Sequence, residues 1–352
     1  MARPPAVSWR QHGLLWPGVT LLLMLALNAV FNTSFLHLEW RDGHLYGSLI
    51  DILNRAAPLI LVSLGMTLVI ATRGIDISVG AVVAIAAAIA AWMIGGSLVV
   101  KDGVAVHLSR FPMPVALLAA LAVAAVCGLW NGFLVAKVGM QPIIATLILM
   151  VAGRGIAQLI TGGQIITIYY GPYFFIGSGY LLGLPFSLFI AAAVFIALLS
   201  LTKRTALGLF IQSVGINPSA ARVAGVPARS ITLWVYAFCG LCAGVAGLIV
   251  SSNVKSADGN NAGQLMELDA ILAVTLGGTA LTGGRFSLAG SVIGALIIQT
   301  LTYAIYSLGV PPEVNLVVKA VVVFAVMLLQ SPEFRRSVLQ LVQRVPAGGV
   351  QT

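Results

Sequence analysis

The sequence predicts an all-α polytopic membrane protein of about ten transmembrane helices. Three observations predict it. Of the 352 residues, 59% are hydrophobic and only 8% are charged. Mean hydropathy is +1.03, and apolar runs near twenty residues recur along the chain. Soluble chains carry roughly 25% charged residues, so a soluble domain has no means of covering this much apolar surface. The 38 glycines agree, because small residues let helices pack closely in lipid. The net charge of +9 raises nucleic acid as a partner. The basic residues are scattered between apolar runs, however, so they read as topology signals and the lipid bilayer is the expected partner.

A helix crosses the hydrocarbon layer with about 20 apolar residues. Candidate spans are 14–36, 52–71, 78–98, 113–136, 141–161, 184–202, 230–252, 269–284, 287–308 and 314–330. The first is too long for a cleavable signal peptide and no A-x-A site follows it. The eighth is short and ends in Thr282-Gly283-Gly284. These spans make one membrane domain, 14–330, between tails 1–13 and 331–352.

Orientation follows from Lys and Arg. With the N-terminus inside, 12 of the 19 basic residues fall on the inner side and 4 on the outer, with Arg55, Arg154 and Lys319 inside spans. Both termini and the long polar interruption 203–229 are then expected to be cytoplasmic. Glu39, Asp42, Asp51, Asp102, Asp258, Glu267, Asp269 and Glu313 map to outer loops or outer span ends. They read either as solvated loop ends or as a docking surface for a soluble partner.

The interruption has the marks of a small folded unit. Asn217 suits an N-cap and Pro218 the first helical position, which needs no amide partner. Ser219 to Ala224 then favour one or two turns, and Gly225 suits the left-handed residue that ends them. Pro227 discourages continuation. So short a helix is marginal alone, and Ala220, Ala221 and Ala224, read as exposed, leave room for a groove to approach. The unit is either a docking helix for a partner or a capped loop helix lying on the membrane surface.

Two tight turns on the same side share a pattern: Gly74-Ile75-Asp76-Ile77-Ser78-Val79-Gly80 and Gly283-Gly284-Arg285-Phe286-Ser287-Leu288-Ala289-Gly290. Ser78 and Ser287 are placed to cap the helices that follow. Paired interruptions of this kind hint at a duplicated transporter core.

The stretch Ala220-Ala221-Arg222-Val223-Ala224-Gly225 resembles the AA-xxx-G portion of the coupling loop in bacterial ATP-binding-cassette importers, with Ser219 where the general motif opens on glutamate. Gly208, Gly215, Asn217 and Ala220-Ala221 are similar to the ribose-type sugar permease branch. GMTLVIATRGIDISVG at 65–80, WNGFLVAKVGMQPIIATLILMVAGRG at 130–155 and LDAILAVTLGGTALTGGRFSLAGSVIGALIIQ at 268–299 resemble the same family. The likeness covers about 50–330. Among its members, IDILNRAAP, NNAGQLMELDAILAV and PPEVNLVVKAVVV look most like permeases for galactofuranose. The resemblance implies a type II-like importer permease moving that sugar, or another monosaccharide such as ribose, from periplasm to cytoplasm. It also implies a partner ATPase that binds ATP and Mg, a second permease in a hetero- or homodimer, and a periplasmic sugar-binding protein. The coupling residues it implies are Gly208, Gly215, Asn217, Pro218, Ala220, Ala221, Arg222 and Gly225. The turn residues are Gly74, Asp76, Ser78, Gly80, Gly284 and Ser287.

Polar groups inside spans are costly unless partnered. Arg154 and Gln158 share one face of the fifth span at i, i+4. Asn54 and Arg55 open the second, Gln299 lies in the ninth and Lys319 near the outer end of the tenth. Asn54, Arg154, Gln158 and Gln299 are candidates for a polar route. The other reading has Arg55 and Lys319 snorkelling to headgroups, and Gln158 and Gln299 bonding between helices. Cys127, Cys239 and Cys242 fall in apolar spans and read as packing, with no disulfide framework or metal site. Gly240 and Gly244 give a G-xxx-G spacing for close helix contact. The chain has no H-E-x-x-H and no G-x-x-x-x-G-K-[ST] phosphate loop. It is therefore not expected to be an enzyme or to hold a cofactor. An ion-coupled transporter is the rival class, and it would need more ionisable residues deep in spans.

Overall fold

The computed structural model describes residues 14–330, apart from 33, 42, 96, 102, 103 and 310. The expected tails at 1–13 and 331–352 lie outside the described residues. Thirteen α-helices follow in order among the described residues: α1 (Leu15–Phe31), α2 (Ser48–Ala71), α3 (Val79–Ile94), α4 (Met113–Phe133), α5 (Pro142–Thr161), α6 (Gly171–Ser178) and α7 (Phe186–Arg204). Then come α8 (Leu207–Ile216), α9 (Pro218–Val223), α10 (Ala228–Val254), α11 (Met266–Leu276), α12 (Leu288–Ser307) and α13 (Pro312–Gln330). Each of the ten predicted spans overlaps one of them, and α6, α8 and α9 are extra. Among the described residues, six helices are long and apolar enough to cross a membrane unaided: α2, α4 with its π-helical extension to Val138, α5, α7, α10 and α12.

The eighth span is a correction. A continuous crossing at 269–284 is not formed: α11 stops at Leu276, and 277–287 is irregular. Gly277, Gly278, Gly283 and Gly284 break the pattern, and eleven helical residues rise only about 16 Å.

The core is built around α2, in which Ala56 to Ala71 are buried without a break. α2 packs against α7, α10, α11 and α12, and α3 is wedged between α5, α4 and α10. The most extensive packing joins α4 to α10. A Cβ on Gly128 would collide with the Tyr236 carbonyl, and one on Gly240 with the Ala124 carbonyl. Backbones thus touch directly at the predicted small-residue spacing, which is how membrane helices gain dispersion contacts that lipid does not supply. By contrast α4, α5 and α7 leave most of their outward residues exposed, as spans facing lipid or a second chain do.

Because the spans alternate in direction, the connections sort to two ends. One end carries α8, α9 and the turns 72–78 and 277–287. The other carries short antiparallel ladders, among them Glu39–Arg41 with His44–Tyr46 and Ile166–Thr167 with Ser256–Ala257.

Candidate functional site

α9 forms where the capping signals place it. Asn217 is extended at φ −156°, and its Oδ1 accepts from the N–H groups of Ser219 and Ala220, both at 3.0 Å. Two of the donors that every helix start leaves unpaired are thereby satisfied. At the far end Gly225 takes φ +84°, and Val226 N–H donates to the Ala221 carbonyl at 2.9 Å. This is a left-handed cap of the kind glycine adopts without strain. Ala220, Arg222, Ala224 and Gly225 are exposed, and Val223 is 92% exposed. Ala221 is not: at 5% exposure it is seated in the main core. The expected open face thus consists of Ala220, Val223 and Ala224, while Ala221 roots the helix in its own chain.

The root is pinned more tightly at Gly215, at the end of α8. A Cβ there would collide with the carbonyl of Ala71, the last residue of α2, and with the Gly284 amide. Gly284, at φ +93°, donates its N–H to the same Ala71 carbonyl at 2.9 Å. Arg73 Nη2 donates to the Ile216 carbonyl at 2.5 Å. Earlier in the unit, Gly208 lies so close to the Thr202 carbonyl that a side chain would not fit. The end of α8, from which α9 follows, is therefore joined by backbone contact to α2 and to the second glycine turn, and by the Arg73 side chain to the first.

The first turn is held by buried side chains. Asp76 Oδ1 accepts from Ser78 N–H at 3.0 Å, Ser78 Oγ at 2.6 Å and Asn131 Nδ2 at 3.3 Å. Asn131 also donates to Ser78 Oγ at 2.8 Å, and Tyr236 OH to the Ile75 carbonyl at 3.4 Å. Ser78 therefore does not cap α3 as expected, since its hydroxyl is turned to Asp76. A Cβ on Gly74 would collide with the Tyr236 hydroxyl. In the second turn Ser287 does cap, accepting from Gly290 N–H at 3.1 Å.

The four route candidates separate into two groups. Arg154 Nη1 donates to the Ala262 carbonyl at 2.6 Å, and Gln158 Nε2 to Asn260 Oδ1 at 2.6 Å. Both brace the loop between α10 and α11, so Gln158 bonds a loop and not a neighbouring helix. Asn54 Oδ1 accepts from Ser187 Oγ at 2.5 Å and lines a cavity of about 150 Å³ with Tyr46, Asp51 and Tyr180. Pro58, inside α2, has no N–H to donate to the Asn54 carbonyl. Gln299 is half-buried on α12. Bonds from Tyr303 to Ser48 and from Thr67 to Ser291 set α2 and α12 antiparallel, so Gln299 and Asn54 share the half of that pair away from α9.

Several charges are engaged within the chain. Lys319 Nζ bonds Asp269 at 2.6 Å and Arg55 bonds Asp51 at 3.0 Å. Burial raises the Asp258 carboxyl, but hydrogen bonds from the backbone and side chains of Asn260 and Asn261 outweigh it and hold its pKa below the ordinary value. Glu267 is buried, not solvated. Arg73, Asn131 and Val223 were not singled out by sequence as working residues. Arg73 had signalled only topology, and Asn131 lay unremarked inside a quoted motif.

Residues 48–327 match the protein family described as branched-chain amino acid transport system / permease component. The chain is 52% identical to the galactofuranose transporter permease protein YtfT of Escherichia coli K12 over 316 residues, 90% of this chain and 89% of that one. It is 40% identical to the fructose import permease protein FruF of Bifidobacterium longum NCC 2705, over 91% of this chain and 88% of the other. It is 34% identical to the ribose import permease protein RbsC of Escherichia coli K12, over 89% and 92%. No solved structure matches.

Proposed function

We propose that this chain, which belongs to the branched-chain amino acid transport system / permease component family, is the membrane-spanning permease of an ATP-driven sugar importer, with galactofuranose as its sugar. The observation that carries the reading is the 52% identity to a galactofuranose permease across nine-tenths of both chains. The family description names amino acids, but the three relatives above are sugar permeases, so a sugar is favoured. The chain sits in the bacterial inner membrane with both termini and α9 on the cytoplasmic side.

There a partner ATPase, which binds ATP and Mg, grips α9 through Ala220, Val223, Ala224 and Arg222. A second permease, alike or different, completes the path, and a periplasmic sugar-binding protein delivers the sugar to the other end. Closure of the ATPase pair moves α9. Because Gly215 abuts Ala71 and Arg73 bonds Ile216, that movement reaches α2, the buried centre of the fold. The nucleotide state then biases two arrangements of one packed core, as alternating access requires.

The test is uptake of labelled galactofuranose into vesicles carrying this chain with its ATPase and binding protein, with and without ATP. The expected result is uptake that needs ATP and is lost in Gly225→Pro, whose ring cannot adopt φ +84°. ATP-dependent uptake of ribose, fructose or leucine in its place would change the substrate and keep the class. Proton- or sodium-driven uptake by this chain alone would overturn the proposal.

A further inference from the structure

The loop between α10 and α11 does not stay at its end of the bundle. Ser256–Ala257 pair with Ile166–Thr167 just beyond α5. Gly259 then lies against Ala157 and Thr161, Ala262 accepts from Arg154, and Gly263 rests on Gly80 and Val83 of α3. Gly80 and Val83 flank Ala81, which touches Gly153 of α5, eight helical residues before Thr161, so the loop descends about 12 Å along α5. Arg154 lies next to Gly153, which touches Ala81 and Ile85, so the loop reaches the middle of the bundle. Here α11 begins as a half-length helix, the arrangement in which transporters place polar groups at mid-depth.

Two observations at this place point to a ligand. Asn260, Asn261 and Gln264 are exposed polar side chains, and Asn260 joins the loop to Gln158 of α5. Glu267, in the first turn of α11, is only 4% exposed, and its Oε2 has no hydrogen-bond partner among the described residues. That oxygen lies against the Cα of Gly80, where any Cβ would collide with it. A buried carboxylate oxygen without a donor is costly, and a hydroxyl arriving beside it would remove the cost.

We propose that Glu267 and Arg154, set at mid-depth by the descending loop, are the contact through which the hydroxyls of the sugar pass, closed in this structure by Gly80. The carboxylate accepts from one hydroxyl, while free guanidinium N–H groups of Arg154 donate to another. Gln158, Asn260 and Asn261 extend the same hydrogen-bonding face toward the outer end. The inference rests on the importer reading and adds the site to it.

The test measures concentration-dependent uptake of galactofuranose by the assembled importer carrying Glu267→Gln. Glu267→Gln keeps an acceptor oxygen and removes its charge, and a charged acceptor exceeds a neutral one by about fivefold in affinity, so the apparent KM is expected to rise by about that factor. An unchanged KM in a wild-type background that imports with ATP would overturn this inference alone, whereas failure of the wild type to import would sink the reading beneath it. If Glu267→Gln does not reach the membrane, Asn261→Cys decides. Its labelling by a membrane-impermeant thiol reagent should be slowed by galactofuranose and not by a sugar that is not imported. Labelling indifferent to both sugars would overturn the proposal.

Discussion

The two glycine turns look alike in sequence and are anchored in different ways. The turn 72–78 is tied by side chains to three helices: Asp76 and Ser78 to Asn131 of α4, Ile77 N–H to Thr146 of α5 at 3.3 Å, and Ile75 to Tyr236 of α10. The turn 277–287 has no such ties among the described residues. It is held by its own cap, by the Ser287 N–H bond to Thr279 Oγ1 at 3.2 Å, and by the interlock of Gly277 with Gly290. Its one long-range backbone bond runs from Gly284 to Ala71. The first turn is thus a fixed post sunk into the bundle. The second is a backbone joint lying directly against the root of α9, and a shared motif has been put to unequal mechanical uses.

The largest effect that would test this difference is at Asp76. Asp76→Ala leaves the Ser78 N–H, the Ser78 hydroxyl and one Asn131 donor without their acceptor in a buried place. Each orphaned group costs about 1–3 kcal/mol, so thermal unfolding of the purified chain in detergent should fall sharply and membrane levels with it. Asp76→Asn keeps an acceptor oxygen and should lose less. If Asp76→Ala is no more damaging than changes in the second turn, the fixed-post reading fails.

How much of this was legible in sequence depended on range. The spans other than the eighth were, because a twenty-residue apolar run is its own signal, and so was α9, whose Asn217, Pro218 and Gly225 act within nine residues. The burial of Ala221 was not, since six helical residues are too few to show which face turns inward. Arg73 gained its partner from a contact 143 positions away, which no local pattern announces. The string around Asn260 reads as an ordinary polar loop, and nothing in it says that the chain descends along α5. Asp76, two residues before Ser78, draws that hydroxyl away from the cap; Ser287 has no acid at the same spacing.

A middle-sized effect belongs to the joint. Gly284→Ala must hold a Cβ residue at φ +93°, with that Cβ about 3.1 Å from Ile216 Cγ1. A left-handed conformation costs about 1–2 kcal/mol for a residue with a side chain, so stability should drop only modestly. Uptake per ATP hydrolysed should drop further, because the strain falls on the contact between α2 and α8. Equal losses in stability and in coupling would reduce the joint to a packing feature.

The smallest effect is the most discriminating, because it compares the two serines directly. Ser287 acts as a helix cap, and replacing a cap by Ala costs about 1 kcal/mol but by Gly only a few tenths. Ser287→Gly should therefore recover most of what Ser287→Ala loses. Ser78 gives its hydroxyl to Asp76 and takes the Asn131 amide, so Gly and Ala there both delete the same two hydrogen bonds. Their losses should be similar, with Gly offering no rescue. Denaturation midpoints of the four variants, measured side by side in one detergent, separate the cases. Rescue by glycine at Ser287 alone means that one serine caps a helix and the other is a strut in a buried network. Rescue at both positions would make the turns equivalent after all, and the contrast between post and joint would go with it.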